Sequence, residues 1–483
     1  MSESLVVALD IGTSSVRAIA FDFAGQKVGE EAQLPYDQTT TSDGGVEIEA
    51  PFLLDLAAKC LDELLPKLEN EVAAVSISCF WHSLMAVDAA GNPLTPALSW
   101  ADNRAAAHVT VLRALRDEAE SHARLGCVFH TSYWPAKLLW LRDDRPALFA
   151  GDKLPRWMGF GEWLRLQWCK NDKMSLSMAS GTGLFDQNAR DFDGEFLSHL
   201  PIQREQLPQL CDLDDAATLS EAFQNRWPKL RNVPFFPAIG DGACANIGSG
   251  CADETKIALS AGTSGALRVV LRDFSGEAPR GLWRYRIDNR RILVGGALSN
   301  AGNVLVWARD NLRLSDDWAA NIAQMTPGAH GLTVLPFLAG ERAPLWNGNA
   351  RFTLEGASWN TDAESMARAV LEGAALRFAA VAGELLKLAP DAQIVFSGGA
   401  LEKIAVWQQI MCDALGTPLT QSLESEASAR GAALLALEAL GVIEDAQNVP
   451  FERGAQLTPN RDNHAIYARM LEKQGALYSK IYE

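Results

Sequence analysis

The sequence predicts an α/β protein made of two similar domains that face one another across a cleft. Three observations carry that reading. Residues 9–22 read as a strand, a tight Gly-Thr-Ser turn and a returning strand, and residues 257–270 repeat the same grammar half a chain later. Strand-like apolar runs alternate with helical stretches around both copies. The chain of 483 residues also exceeds what one hydrophobic core usually serves, and its 48% hydrophobic and 21% charged residues are ordinary globular usage.

In the first copy, Val6, Val7, Ala8 and Leu9 form one apolar run and Val16, Ala18, Ile19 and Phe21 another, with Gly12 at the turn between them. The turn's N–H groups and the hydroxyls of Thr13, Ser14 and Ser15 would face a phosphate, with Asp10 placed to hold its magnesium. One such turn alone is equally a plain hairpin, and the second copy favours the phosphate reading. Neither copy contains Gly-x-x-x-x-Gly-Lys, which excludes a helical P-loop.

Strands are expected at 72–79 and 84–87 and helices at 52–68 and 105–124, followed by irregular, proline-containing sequence over 200–237. Residues 238–250 then predict a small-residue helix crossing the domain junction. The expected domains are therefore 1–250 and 251–483. The second half predicts the repeated hairpin, a glycine-rich helix start over 295–307, and helices over 363–389 and 405–415. Gly398 and Gly399 follow a strand and would let an adenine or ribose approach the backbone; a simple strand-to-helix turn is the alternative. Gly295, Gly296 and Gly302 have the same standing.

The net charge of −17 argues against broad binding to nucleic acid or an anionic membrane and favours a small-molecule partner. Eight cysteines without Cys-x-x-Cys spacing read as buried thiols in a reducing cytoplasm. No basic stretch followed by an apolar run opens the sequence, and the apolar run over 432–440 is short and interrupted by Glu438, so neither secretion nor membrane insertion is expected. A cytoplasmic location is expected.

Asp241 stands between Gly240 and Gly242 at the end of an apolar, strand-like run. A carboxylate there can accept a hydroxyl proton as that oxygen attacks a phosphoryl group. Alone it would read as a cap on the following helix; the paired hairpins favour the base. Two loops are candidates for the acceptor pocket. Trp81 and His82 follow an apolar strand, and Asp102 and Arg104 follow a proline-containing loop, although such residues are also ordinary loop contacts.

The two Gly-Thr-Ser hairpins, Gly-Asp-Gly at 240–242, the Gly-Gly preceding Trp307 and the Ser-Gly-Gly preceding Trp407 together resemble the FGGY carbohydrate kinases over nearly the whole chain. The resemblance implies an actin-like, ribonuclease-H-like fold with ATP and Mg2+ in the cleft and a sugar or sugar acid beside them. It implies Asp241 as the catalytic base, Asp10 and Asp241 on the metal side, and Thr13, Ser14, Arg17, Gly262, Thr263, Gly302 and Gly399 as nucleotide contacts. Lys403 departs from the asparagine some members place near adenine and receives no contact. His-Ser-Leu at 82–84, Trp-Ala-Asp-Asn-Arg at 100–104, Lys-Leu-Leu-Trp-Leu at 137–141 and Gly-Thr-Gly-Leu-Phe-Asp at 181–186 look most like the gluconate kinase branch. That implies gluconate as acceptor, with Trp81, His82, Asp102, Arg104 and Asp241 around it and Arg104 on the carboxylate. Trp81 departs from the glutamine-methionine pair common before this histidine, which would reshape the pocket. A pentulose (xylulose or ribulose) or other polyol kinase is the alternative within the family. A non-transferring actin-family ATPase or sugar sensor is the alternative outside it, and a homodimer is left open.

Overall fold

The computed structural model describes residues 4–483. The first sheet has the order β5-β4-β1-β2-β3, built from β1 (Leu5–Ile11), β2 (Ser15–Phe21), β3 (Lys27–Pro35), β4 (Val72–Cys79) and β5 (Phe235–Gly240). β1 and β2 are antiparallel with Leu9 opposite Ala18, whereas β4 runs parallel to β1. Every residue of β1 is buried, so its unbroken apolar sequence reflects a strand covered on both faces. The helix expected over 52–68 is α1 (Ala50–Leu64), started by Pro51 and followed by one tighter turn at Leu65–Lys67.

The helix expected over 105–124 is two helices, Ala106–Leu115 and Glu118–Leu125. Arg116 is extended, and the Asp117 side chain caps the second helix by accepting from the Glu120 N–H. The run over 84–87 narrows to a strand at Met85–Val87. α2 (Trp134–Asp144) packs beside these segments, and α3 (Asp241–Gly248) leaves the end of β5 directly.

The second sheet repeats the plan. Its order is β8-β9-β7-β6-β10-β11-β12, from β6 (Lys256–Ala261), β7 (Gly265–Arg272), β8 (Trp283–Arg286), β9 (Arg291–Leu298), β10 (Gln393–Ser397), β11 (Leu419–Ser422) and β12 (Arg453–Leu457). β6 pairs antiparallel with β7 and parallel with β10, as β1 does with β2 and β4. Each hairpin closes with one backbone hydrogen bond, Gly12 N–H to the Ser15 carbonyl and Gly262 N–H to the Ser264 carbonyl, both 3.0 Å. The longer helices of this half are α4 (Gly302–Asn311), α5 (Ala363–Leu388), α6 (Ala405–Leu415), α7 (Ala427–Ala439) and α8 (Arg461–Tyr482).

The glycine-rich helix start expected over 295–307 is corrected. Gly295 and Gly296 lie within β9, where a Cβ would meet the Leu267 carbonyl at 2.6 Å or Val381 at 2.8 Å, and the helix begins at Gly302. The expected division near Gly250 must also admit a return crossing. α7 packs on α3, β1 and β4, and its Ala429, Ala432, Ala433 and Leu434 belong to the core of the first sheet. Among the described residues, no helix is long and apolar enough to cross a membrane.

Candidate active site

The end of β5 carries Asp241 into a cavity of about 270 Å³ between the two sheets. Thr13 of the first hairpin and Ser264 of the second both reach its wall, along with Trp81, His82 and Asp241. The Asp241 carboxylate accepts from its neighbour's Gly242 N–H at 2.7 Å. Burial pushes its protonation upward, opposed by that hydrogen bond and by the guanidinium of Arg268.

The glycines around Asp241 make room for one indole. A Cβ on Gly240 would lie 1.8 Å from the Trp81 ring, and on Gly242 or Gly181 2.9 and 2.7 Å from it. Trp81 Nε1 donates to the Ser177 carbonyl at 2.9 Å, and its ring centroid stands 5.0 Å from that of Tyr285. Thus Gly-Asp-Gly sets Asp241 directly against the Trp81 ring.

His82 has a left-handed backbone (φ 70°), and its Nδ1 donates to the Gly181 carbonyl at 2.5 Å. Burial, reinforced by the nearby cations Lys137 and Arg342, holds the imidazole down to about 3, so it is neutral and Nε2 is an acceptor. Lys137 lies fully buried below, donating to the His82 and Ser99 carbonyls at 3.0 and 2.8 Å, and so ties together the loops that carry His82 and Trp100.

Asp102 and Arg104 do not line this cavity, contrary to expectation. Asp102 accepts from Arg104 Nη2 at 2.5 Å and from the Val46 N–H at 3.1 Å; the same Arg104 nitrogen donates to Glu47 at 2.7 Å. The guanidinium carbon also lies 4.5 Å from the Trp140 ring centroid. A charge so fully satisfied within its own lobe has little left for a substrate. Trp100, from the same loop, is the residue that reaches the wall.

The cations at the wall are Arg268 of β7 and Arg342, neither of which was singled out in the sequence. Among the described residues, the Arg268 side chain has no hydrogen bond or ion pair, and that of Arg342 has one hydrogen bond, from Nη2 to the Leu298 carbonyl at 3.3 Å. Both are half-buried at the cavity wall, and desolvation there pulls both below the usual guanidinium range without discharging them. Arg268 between the apolar residues Leu267 and Val269 was a legible warning, since a charge there needs a partner. Tyr133 and Tyr285, joined hydroxyl to hydroxyl at 2.6 Å, complete the wall and carried no comparable signal.

Asp10, at the root of the first hairpin, accepts from Ser78 Oγ at 2.8 Å and lies 3.7 Å from Arg17. Burial raises it to about 6, and the Asp241 carboxylate adds to the rise. Arg17 also bonds Glu426 at 3.1 Å, and Ser14 stands exposed at the hairpin tip. No cluster of three or more His, Cys, Asp or Glu fit to hold a metal occurs among the described residues.

A second cavity, about 1280 Å³, opens on the other side of the second hairpin and is lined by Gly262, Thr263, Gly302 and Gly399, together with Trp318 and Lys403. The Gly302 N–H donates to the Gly262 carbonyl at 2.8 Å, seating the start of α4 on the hairpin. Any Cβ at Gly302 would strike Ala400 at 2.4 Å, and Gly398 (φ 108°) has the Ala261 backbone 2.6 Å from where its Cβ would be. Four of the seven expected nucleotide contacts therefore meet at one cavity; Thr13 lines the other, and Ser14 and Arg17 line neither.

Residues 5–248 match the N-terminal domain and residues 257–440 the C-terminal domain of the FGGY family of carbohydrate kinases. The gluconokinase of Bacillus subtilis (strain 168) is 28% identical over 495 residues, which cover 97% of this chain and 94% of that protein. The crystal structure of gluconate kinase from Lactobacillus acidophilus superposes with a TM-score of 0.92 at 26% identity, covering 99% of this chain and 98% of that one. The ligand-bound xylulose kinase from Lactobacillus acidophilus gives the same TM-score, identity and coverage. The two-domain, actin-like fold is thereby borne out.

Proposed function

From the premise that this chain belongs to the FGGY family of carbohydrate kinases, we propose that it transfers the γ-phosphoryl group of ATP to the terminal hydroxyl of gluconate, giving 6-phosphogluconate. One observation carries the choice of acceptor. Beside Arg268, whose charge faces Asp241, the cavity holds Arg342, a half-buried guanidinium with no carboxylate partner among the described residues, and an unpaired desolvated cation is costly until an anion arrives. A sugar acid supplies that anion; a neutral sugar does not.

In this reading Asp241 takes the hydroxyl proton as the oxygen attacks the γ-phosphorus. The bond from phosphorus to the β–γ bridging oxygen breaks, and ADP leaves. The neutral Nε2 of His82 accepts from an acceptor hydroxyl, and Trp81 floors the pocket with an apolar face. The N–H groups of the two hairpins cradle the phosphates, with the adenosine in the larger cavity against Gly302, Gly399 and Trp318. Asp10 is buried and Asp241 half-buried, and desolvation raises both despite Arg17 near the first and Arg268 near the second, which suits a divalent cation bound by few protein ligands and the phosphates. Magnesium, when bound, would neutralise phosphate charge there.

A screen of aldonic acids, ketoses and polyols with ATP and Mg2+ tests the proposal: gluconate should give the highest kcat/KM. A neutral pentulose used best would select the pentulose kinase reading, which the equal likeness to a xylulose kinase structure supports. ATP hydrolysis unaffected by any sugar would select the non-transferring reading.

A further inference from the structure

We propose that Arg342 anchors the carboxylate of the acceptor at the end of the cavity away from Asp241, and so determines which hydroxyl is phosphorylated: the one at the opposite end of the carbon chain. This rests on the sugar-acid kinase reading above.

Arg342 is held in place before any ligand arrives. Its neighbour Glu341 turns inward and forms a buried ion pair with Arg377 of α5. The Ala343 N–H on its other side donates to the Ala297 carbonyl of β9 at 3.0 Å. Between these two fastenings the Arg342 guanidinium carbon lies 5.4 Å from the Trp100 ring centroid, across from the first lobe. Its single hydrogen bond leaves most of its five N–H donors unused.

The ends of the cavity differ in charge. Arg268 is the cation that acts on Asp241, whereas the Arg342 guanidinium stacks over Trp100 with Tyr133 and Tyr285 beside it and Arg268, His82 and His130 beyond them. Both histidines are kept neutral by burial among cations, and the residues at that end, Trp100, Ser132 and Tyr133, are uncharged. A carboxylate entering there meets donors and no repelling acid. A fork of two parallel N–H···O bonds fixes its position and orientation as one hydroxyl contact cannot. With that end fixed, only an acceptor of the right length brings its last hydroxyl to Asp241, so Arg342 and Asp241 together measure the chain.

The test compares wild type, Arg342→Leu, Arg342→Lys and Arg268→Leu on gluconate, on glucitol, which replaces the carboxylate by a hydroxymethyl group, and on xylonate, one carbon shorter. Arg342→Leu should raise the gluconate KM about 30-fold or more, the loss expected on truncating one side of a buried charge pair. Its kcat/KM for glucitol should change less than threefold, so that the preference for the acid collapses. Arg342→Lys, keeping charge but losing the fork, should fall between, and it serves if the leucine variant does not fold. Arg268→Leu should act mainly on kcat. Phosphorus NMR of the wild-type product should show a single primary ester at the terminus remote from the carboxylate, with xylonate turned over poorly.

Equal losses on gluconate and glucitol in Arg342→Leu, or a wild-type ester on a secondary hydroxyl, would overturn the anchor while leaving an aldonate kinase standing. Wild-type enzyme that ignores every aldonate but phosphorylates a neutral sugar would overturn the sugar-acid reading and the anchor with it.

Discussion

Replacing Gly431 by Ala should both destabilise the protein and slow its chemistry. Gly431 lies where α7 crosses α3, and an added Cβ would stand 1.8 Å from the Cys244 carbonyl oxygen. The reciprocal position is as tight, since a Cβ on Gly248 would lie 1.9 Å from the Ala427 carbonyl. Both neighbours are helix backbone, so no side chain can swing away and the helices must separate. Overpacking of this kind costs typically about 1–3 kcal/mol, and rigid backbone on both sides points to the upper end. Alanine returns about 1 kcal/mol of helix propensity. The net loss is then about 2 kcal/mol, or roughly 4–8 °C in Tm at the usual sensitivity of large domains.

α3 begins at Asp241, so a displaced helix would misplace the proposed base, and a misplacement of about 1 Å can cost 100-fold in kcat. The control is Gly475→Ala within α8, where no atom lies within 4 Å of the new Cβ and helix propensity acts alone. That variant should gain about 0.5–1 kcal/mol with kcat unchanged. Differential scanning fluorimetry and a coupled ADP-release assay on both variants decide the matter. A Gly431→Ala protein as stable and active as wild type, or a Gly475→Ala protein that loses as much, would refute the reasoning.

Asp241→Asn should lower kcat by about 100-fold or more while leaving ATP binding by calorimetry intact, because it removes the base and keeps the shape. Its Tm should hold or rise, since burial already disfavours the charged carboxylate. His82, held down to about 3, should show one neutral tautomer with the proton on Nδ1 by nitrogen NMR from pH 5 to 8. Between about pH 3 and the unfolded value of 6.5, the unfolded chain binds a proton that the folded chain refuses, so stability rises with pH across that window; His82→Asn should flatten the slope. ATP and gluconate together should shrink the radius of gyration in small-angle scattering, as expected if the hairpins of the two lobes close on one ligand set, and an unchanged radius would count against closure.

What could be read from the sequence was local. The hairpins at Gly12 and Gly262 declare themselves because strand, turn and strand are contiguous, and the residues 363–389 and 405–415 show helical periodicity without tertiary help. Gly295 and Gly296 misled because glycine within a strand and glycine before a helix look alike until Val381 and Leu267 are seen pressing on them. Arg104 misled for the converse reason: its partner Asp102 is two residues away and visible, but Glu47 and Trp140, which complete its satisfaction, are not. Arg342 sits in a Gly-Glu-Arg-Ala-Pro loop with no pattern of its own. Its meaning depends on Arg377 and Trp100, both distant in the chain.

The return of α7 to the first lobe bears on how the chain is made. Arg430 donates to the carbonyls of Gly25 at 3.0 Å, Gly248 at 2.6 Å and Pro450 at 2.7 Å, the first of these contacts spanning 405 residues. When a ribosome has delivered the first 250 residues, the strands of the first sheet exist but the helix that covers α3, β1 and β4 has not been synthesised. The nascent lobe must wait, with an apolar groove open, until nearly the whole second lobe has emerged. Closure across so long a loop is slow, which makes this interval the time when the chain is most exposed to aggregation and most in need of a chaperone. Cutting the gene between the lobes would make that waiting state permanent, so the first lobe expressed alone should be insoluble unless residues 427–439 are supplied with it.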